Sequence, residues 1–157
     1  MKLVNATALS LLFTQLCFHC FAQKAQTIQF EKSKGKLPFP VCTVYEFSDA
    51  KRQREKQVVP GFMNISFLTD SIAEVKAIYA GTVSKVFTVD DGFAVVTCFG
   101  DYYITYYPVT KPTLKKGDAV TSGQPISNIS LTDGRPEINI LMSKTTTFID
   151  PYKWFKW

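Results

Sequence analysis

The fold of this chain is decided by the stretch Thr113-Leu114-Lys115-Lys116-Gly117-Asp118-Ala119-Val120-Thr121-Ser122-Gly123-Gln124-Pro125-Ile126. It reads as short apolar strands flanking turns built on Gly117-Asp118 and Ser122-Gly123, where glycine adopts positive φ at little steric cost. Upstream lie residues 74–79 and 82–89 and the aromatic run 99–107, all rich in β-branched and aromatic residues. These pieces predict strands on both sides of the stretch.

Most of the chain after residue 40 consists of strand-like segments separated by turn signals such as Asp90-Asp91-Gly92 and Thr132-Asp133-Gly134. No segment has the spacing of an amphipathic helix, so the pattern predicts an all-β sandwich or barrel. Pro151 is expected to begin one short helical turn near the end. The predicted strands are 41–47, 62–67, 74–79, 82–89, 93–99, 102–107, 125–129 and 137–142. The glycines expected in turns are Gly81, Gly100 and Gly117, and the residues expected to point inward are Val75, Ala77 and Val83.

The N-terminus has the pattern of a secretory signal peptide: Met1-Lys2, an apolar run over residues 9–18, and a cut expected after Ala22. No later segment has membrane-spanning length. The predicted organisation is a signal peptide (1–22), a polar lead-in segment (23–40) that docks through Ile28 and Phe30, and one β domain (41–157). The mature protein is therefore expected to be secreted or periplasmic, without a transmembrane segment.

The net charge and the predicted export narrow the possible partners, and the cysteines bear on disulfide formation. The net charge of +5 becomes +4 when residues 1–22, which carry one lysine, are removed. Part of the charge lies in a basic loop at residues 51–56, interpreted as solvated. Export disfavours a nucleic-acid partner. Cys42 and Cys98 remain after processing, and the sequence leaves open a disulfide or two buried thiols.

The order of these pieces resembles the lysostaphin-like (LytM-type) zinc endopeptidases, which cut peptidoglycan cross-links. That family carries a Val-x-Ala…Gly-x-Val strand pair, then His-Gly…Tyr, then a Val-x-x-Gly-Asp-x-Val-x-x-Gly-Gln-x-Ile hairpin. The segment Lys34-Gly35-Lys36-Leu37-Pro38-Phe39-Pro40-Val41 resembles the family's Lys-Gly-x-Leu-Pro-Trp-Pro-Val lead-in, and residues 150–155 resemble its Asp-Pro-x-x-Trp-Leu terminus. The resemblance implies a two-layer antiparallel β-sandwich, a barrel-sandwich hybrid with a duplicated hybrid motif.

The resemblance also locates the positions where zinc ligands and catalytic groups would stand. A hydrolytic zinc site needs about three imidazole, carboxylate or thiolate ligands and an open position for water. Here the family's His-x-x-x-Asp pair falls on Pro60 and Asn64, its histidine before Gly100 on Phe99, and its late His-x-His on Glu137 and Asn139. The chain's one histidine is His19, inside the predicted signal peptide. We therefore expect no catalytic residue, no metal site and no cofactor.

The aromatic run suggests a binding groove. Tyr103, Thr105 and Tyr107 would lie on one face of a strand, and Tyr102, Ile104 and Tyr106 on the other. One face could be core and the other a wall of the vacated site, able to hold a glycan or a stem peptide. The residues expected to line the groove are Asn64, Phe99, Tyr102, Tyr106 and Asn139.

The resemblance thus implies a catalytically inactive LytM-type homologue in the bacterial envelope that binds peptidoglycan or regulates a cell-wall hydrolase. One alternative is an active peptidoglycan metalloendopeptidase whose ligands lie elsewhere in the chain. Another is a barrel-sandwich adaptor or carrier domain, suggested by Gly117-Asp118-Ala119-Val120 and Gly123-Gln124-Pro125-Ile126. Carriers need a lysine at a tight hairpin tip and work in the cytoplasm, which speaks against that alternative.

Overall fold

A computed structural model describes residues 23–44, 46–49 and 63–157 of the chain. Within these ranges a helix, α1 (residues 23–31), precedes the strands, and a 3-10 helix, η1 (Pro151–Trp154), follows them. The strands are β1 (Glu46–Asp49), β2 (Asn64–Leu68), β3 (Glu74–Lys76), β4 (Gly81–Val89), β5 (Gly92–Phe99), β6 (Tyr102–Val109), β7 (Ala119–Val120), β8 (Pro125–Asn128), β9 (Leu131–Thr132), β10 (Arg135–Lys144) and β11 (Thr147–Ile149). In the described ranges no helix is long and apolar enough to cross a membrane.

Nine strands form one antiparallel main sheet, in the order β1-β2-β10-β6-β5-β4-β7, with β9 and β11 paired to β10. β3 and β8 form a second, two-stranded antiparallel sheet. The all-β, antiparallel prediction is confirmed. Buried side chains from both sheets, including Val75, Ile126 and Ile140, belong to one hydrophobic core. Val75, Ala77 and Val83 are almost fully buried, as their alternation predicts.

The central strands have two distinct faces. The core face carries Ile138, Ile140 and Met142 of β10, none of which has exposed surface. Register places Ile65, Phe67, Ile104 and Tyr106 of the neighbouring strands on this face as well. The opposite face, called the site face below, carries the alternate residues of the same strands. On β10 these are Glu137, Asn139, Leu141 and Ser143.

The lead-in segment differs from its prediction. Residues 23–31 form a helix, whereas the sequence predicted no regular structure there. Phe30 is fully buried as expected, but Ile28 is 48% exposed and does not dock. The helix is fastened at the β5–β6 turn, where the backbone N–H of Asp101 donates to Thr27 Oγ1 (3.1 Å). The segment is therefore part of the domain's packing.

Several strand bounds and turn positions also differ from those predicted. Residues 41–44 are not in a strand, and β1 begins at Glu46. Gly100 and Gly117 occupy turns with positive φ, but Gly81 begins β4, where a Cβ would lie 2.5 Å from the carbonyl oxygen of Cys98. Gly81 is thus required by close backbone approach and not by a turn. The predicted final turn is confirmed by η1, which Asp150 caps by accepting from the N–H of Tyr152 (3.1 Å).

The two cysteines are separate free thiols. Cys42 is exposed and accepts from Lys76 Nζ at 3.6 Å, so neither alternative that the sequence left open, a disulfide or a buried thiol, holds for this residue. Cys98 is partly buried on β5, and burial raises the pKa of its thiol.

Candidate functional site on the sheet face of β2, β10 and β6

Three polar side chains meet on the site face where β2 and β10 pair. Asn139 lies opposite Ser66, and Asn64 lies opposite Leu141, two residues further along the same pair of strands. Asn64 Nδ2 donates to Asn139 Oδ1 at 2.6 Å, and Ser66 Oγ donates to the same oxygen at 2.5 Å. Asn139 and Ser66 are only 8% and 7% exposed, so these bonds satisfy polar groups that are largely out of water. The resemblance placed Asn64 and Asn139 at ligand positions, and the structure brings them together.

Tyr107 lies beside this network, opposite Asn139 on the β6 side. Burial raises the pKa of its phenol, and the negative charge of Glu137 raises it further. Glu137 stands two residues before Asn139 on the site face, opposite Leu68 of β2. Tyr107 is therefore neutral at physiological pH and can both donate and accept a hydrogen bond.

Two cavities adjoin on this face. One, of about 180 Å³, is lined by Asp90, Asp91, Thr132, Asn139 and the consecutive pair Tyr107 and Pro108, with Val89. The other, of about 340 Å³, is mainly apolar. Its lining residues are Phe87, Val89, Ala94, Thr105, Tyr107, Leu141 and Phe148. Because Val89 and Tyr107 line both cavities, the two form one groove with an apolar part and a carboxylate-bearing end. We call it the site groove.

Phe99 does not line this groove. It is 4% exposed and lies under α1, with its ring centroid 4.2 Å from that of Phe30 and 5.0 Å from that of Tyr79. A stack of Phe30 on Trp154, with centroids 4.4 Å apart, continues this aromatic cluster. The expected groove position of Phe99 is therefore corrected, because β5 turns its side chain to the core face and the helix covers it.

Tyr106 is likewise corrected. It has no exposed surface, and its hydroxyl accepts from the backbone N–H of Ile78 at 3.0 Å. Burial raises the pKa of this phenol strongly. Tyr102, on the same face, is 4% exposed and donates its hydroxyl hydrogen to Glu31 Oε1 of α1 (2.7 Å). Both tyrosines hold the fold together, since period-2 alternation puts residues 102 and 106 on the core face.

Of the five residues expected in the groove, the structure thus joins Asn64 and Asn139 and separates them from Phe99, Tyr102 and Tyr106. Pro60 lies outside the described residues. Sequence reasoning missed three contributors: Ser66, Tyr107 and the Asp90-Asp91 turn. The alternation puts Tyr107 on the same face of β6 as Tyr103 and Thr105, but it does not tell which face is buried, so the sequence carried no signal that singles out Tyr107.

Comparison with solved structures gives several matches. Csd3 of Helicobacter pylori aligns with a TM-score of 0.62 at 18% identity, over 76% of this chain and 34% of that one. A chain from the SpoIIIAH–SpoIIQ complex aligns with a TM-score of 0.61 at 18% identity, over 76% of this chain and 100% of that one. Lysostaphin aligns with a TM-score of 0.52 at 21% identity, over 57% of this chain and 40% of that one. The chain spans about a third of the length of Csd3.

These similarities establish the fold: the chain has the β architecture of LytM-type, lysostaphin-like domains. The sequence matches no protein-family model and no curated protein. Among the described residues no three His, Cys, Asp or Glu side chains are grouped closely enough to hold a metal ion.

Proposed function

We propose that this protein is a non-catalytic LytM-type domain of the bacterial envelope that binds the peptide part of peptidoglycan in the site groove. The observation that carries the proposal is the continuity of the groove across Val89 and Tyr107 on the face that bears Asn64 and Asn139. A groove with an apolar part and a few polar groups is the usual form of a ligand site.

The chemistry of the groove fits a stem peptide. Its apolar part, between Leu141 and Ala94, accepts small aliphatic side chains such as those of alanine. At the other end Asp90 and Asp91 offer carboxylates to an ammonium group, as a diamino acid carries. Tyr107 and Asn139 lie between them and can hydrogen-bond peptide amides. The proposed ligand is therefore an extended peptide with aliphatic side chains and the side-chain amine of a diamino acid.

The same face supports a role without hydrolysis. Asn139 Oδ1 already accepts from Asn64 and Ser66, and neutral amide oxygens are poor zinc ligands beside imidazole or carboxylate. The mature sequence predicted here holds no histidine to replace them. We therefore expect purified protein to bind less than one zinc per chain and to leave sacculi uncut. One tightly held zinc per chain, or release of peptide fragments, would favour the active endopeptidase instead.

A second candidate is recognition of a protein, with a cell-wall hydrolase as the regulated partner. The observation that favours it is the match to a chain solved as part of the SpoIIIAH–SpoIIQ complex, which indicates that this fold is compatible with a role in a protein assembly. The carrier alternative has no such support. Mass spectrometry of the intact protein tests it, since the absence of a lipoyl or biotinyl adduct would exclude a carrier function.

Binding to purified sacculi tests the proposal, with Tyr107→Ala as the central variant. Removing a tyrosine from the middle of a binding groove typically costs about 1–3 kcal/mol, equivalent to a loss of affinity of roughly 5-fold to 150-fold. Tyr103→Ala is the matched control, because Tyr103 lies on the same face of β6 but outside the groove lining. Equal binding by folded Tyr107→Ala and wild type would refute the groove. Binding that appears only with an added amidase would favour the hydrolase partner.

A further inference from the structure

The outer edge of β4 is open over most of its length. β4 runs from Gly81 to Val89, but β7 pairs only with Gly81 and Thr82. The loop before β7 adds bonds to Val83, whose N–H donates to Asp118 O at 2.8 Å and whose carbonyl accepts from Gly117. In the described part of the chain no strand pairs with this edge between Lys85 and Val89.

The hydrogen-bond register shows which groups this edge presents. Val89 and Gly92 close the two-residue Asp90-Asp91 turn, so they form a hydrogen-bonded pair. Alternation then directs the backbone groups of Lys85 and Phe87 toward β5 and those of Val86 and Thr88 outward. The bulge at Ser84 accounts for the outward bonds of Val83 on its other side. Two N–H and two C=O groups are thus left to an added strand.

A second copy of the same strand fits these groups in one symmetric register. A two-fold axis at Phe87 sets Val86 of each copy against Thr88 of the other, which makes both pairs hydrogen-bonded and uses all outward groups. Phe87, 38% exposed in the single chain, then lies directly opposite its counterpart in a close, non-hydrogen-bonded pair. An aromatic pair at such a position is favourable.

The lysines at this edge do not face each other in this register. Lys85, which lies over the Phe87 ring at 4.9 Å, comes opposite Val89 of the second copy. A parallel arrangement would instead set Lys85 near Lys85, where the two like charges repel.

We propose that the β4 edge is a homodimer interface, in which two copies join their main sheets antiparallel about Phe87. The five-residue contact is short, so the dimer is expected to be weak, with a dissociation constant on the order of 10–100 µM. The two-fold axis is perpendicular to the sheet, so the two site grooves, each lined by Phe87 and Val89, lie side by side on one surface.

Sedimentation equilibrium of the full-length protein, up to a concentration on the order of 300 µM, tests this. Thr88→Pro removes an outward N–H without touching the β4–β5 ladder, and Phe87→Lys places like charges on the axis. Both should weaken dimerisation by about tenfold or more. Ile72→Ser is the control for loss of exposed apolar surface, since Ile72 is 59% exposed in the loop between β2 and β3. This control should leave the dissociation constant of the dimer unchanged.

A cross-link tests the register independently of any folding defect in the proline variant. In a Cys42→Ser background, Phe87→Cys sets two thiols directly opposite each other across the axis, so mild oxidation should give a disulfide-linked dimer, whereas Thr88→Cys should give much less. A wild-type chain that stays monomeric overturns the proposal and leaves the edge to a strand of another protein. A dimer that persists in folded Thr88→Pro, or that cross-links no better through Phe87→Cys than through Thr88→Cys, overturns it as well.

Discussion

Tyr106→Phe removes a buried hydrogen-bond acceptor from the core. The substitution keeps the ring, so no cavity forms, but it removes the hydroxyl that accepts from the Ile78 N–H at 3.0 Å. Ile78 is 1% exposed, so no water replaces the acceptor. An unsatisfied buried donor costs about 1–3 kcal/mol of unfolding free energy. With a urea m-value of about 2 kcal/mol/M, the midpoint should fall by roughly 0.5–1.5 M.

Urea unfolding followed by tryptophan fluorescence measures this shift, since Trp154 is buried in the fold. Tyr103→Phe serves as the control, because Tyr103 lies on the site face and its hydroxyl accepts no hydrogen bond from a backbone N–H of the described residues. Its effect should stay within about 0.5 kcal/mol. An unchanged midpoint for Tyr106→Phe at an unchanged m-value would show that the Ile78 N–H finds another partner, and the role assigned to this hydroxyl would be refuted.

Two further predictions concern the same core. The pKa of Tyr106 is raised by burial, so the unfolded chain loses the phenol proton near pH 10 while the folded chain keeps it. The contribution of this group to the free energy of unfolding is therefore fully present below about pH 10. Above that pH the free energy of unfolding falls by up to about 1.4 kcal/mol per pH unit. Chemical unfolding at several alkaline pH values checks this, and Tyr106→Phe should flatten the fall. Phe30→Ala should lower the unfolding free energy by about 3–5 kcal/mol, because the ring is fully buried against four other aromatic residues. Ile28→Ala on the exposed side of the same helix should change it by no more than about 0.5 kcal/mol, and equal effects of the two would contradict the docking of the helix.

The fold was predictable where period-2 patterns and turn residues agree. β4, β5 and β6 lie within two residues of their predicted bounds, since the turns at 90–91 and 100–101 separate three apolar runs. The helix at 23–31 was not predictable, because its buried positions, Thr27 and Phe30, make too narrow a stripe to show helical periodicity. Its docking depends on polar contacts to the Gly100-Asp101 turn, about 70 positions away in the chain.

The site was predictable only in part, for a reason that lies in β6. Tyrosines occupy both faces of this strand, so the alternation separates Tyr106 from Tyr107 without telling which face is buried. The sheet order decides it, since Tyr106 pairs with Ile140 and Tyr107 with Asn139. Asn64 and Asn139 are in contact in the structure, and their positions in the resembling motif imply that proximity. Ser66, which completes the network, has no such motif.

Gly100 makes two distant parts of the chain depend on each other. A Cβ at this position would lie 2.8 Å from both the carbonyl oxygen of Gln23 and the backbone nitrogen of Thr27, closer than packed atoms allow. The residue is also at φ +57°, so any side chain there strains the turn and pushes against the helix at once. A single Gly100→Ala substitution should therefore displace α1 from the sheet by steric clash. It would expose the aromatic cluster beneath α1 without changing any residue of the helix itself.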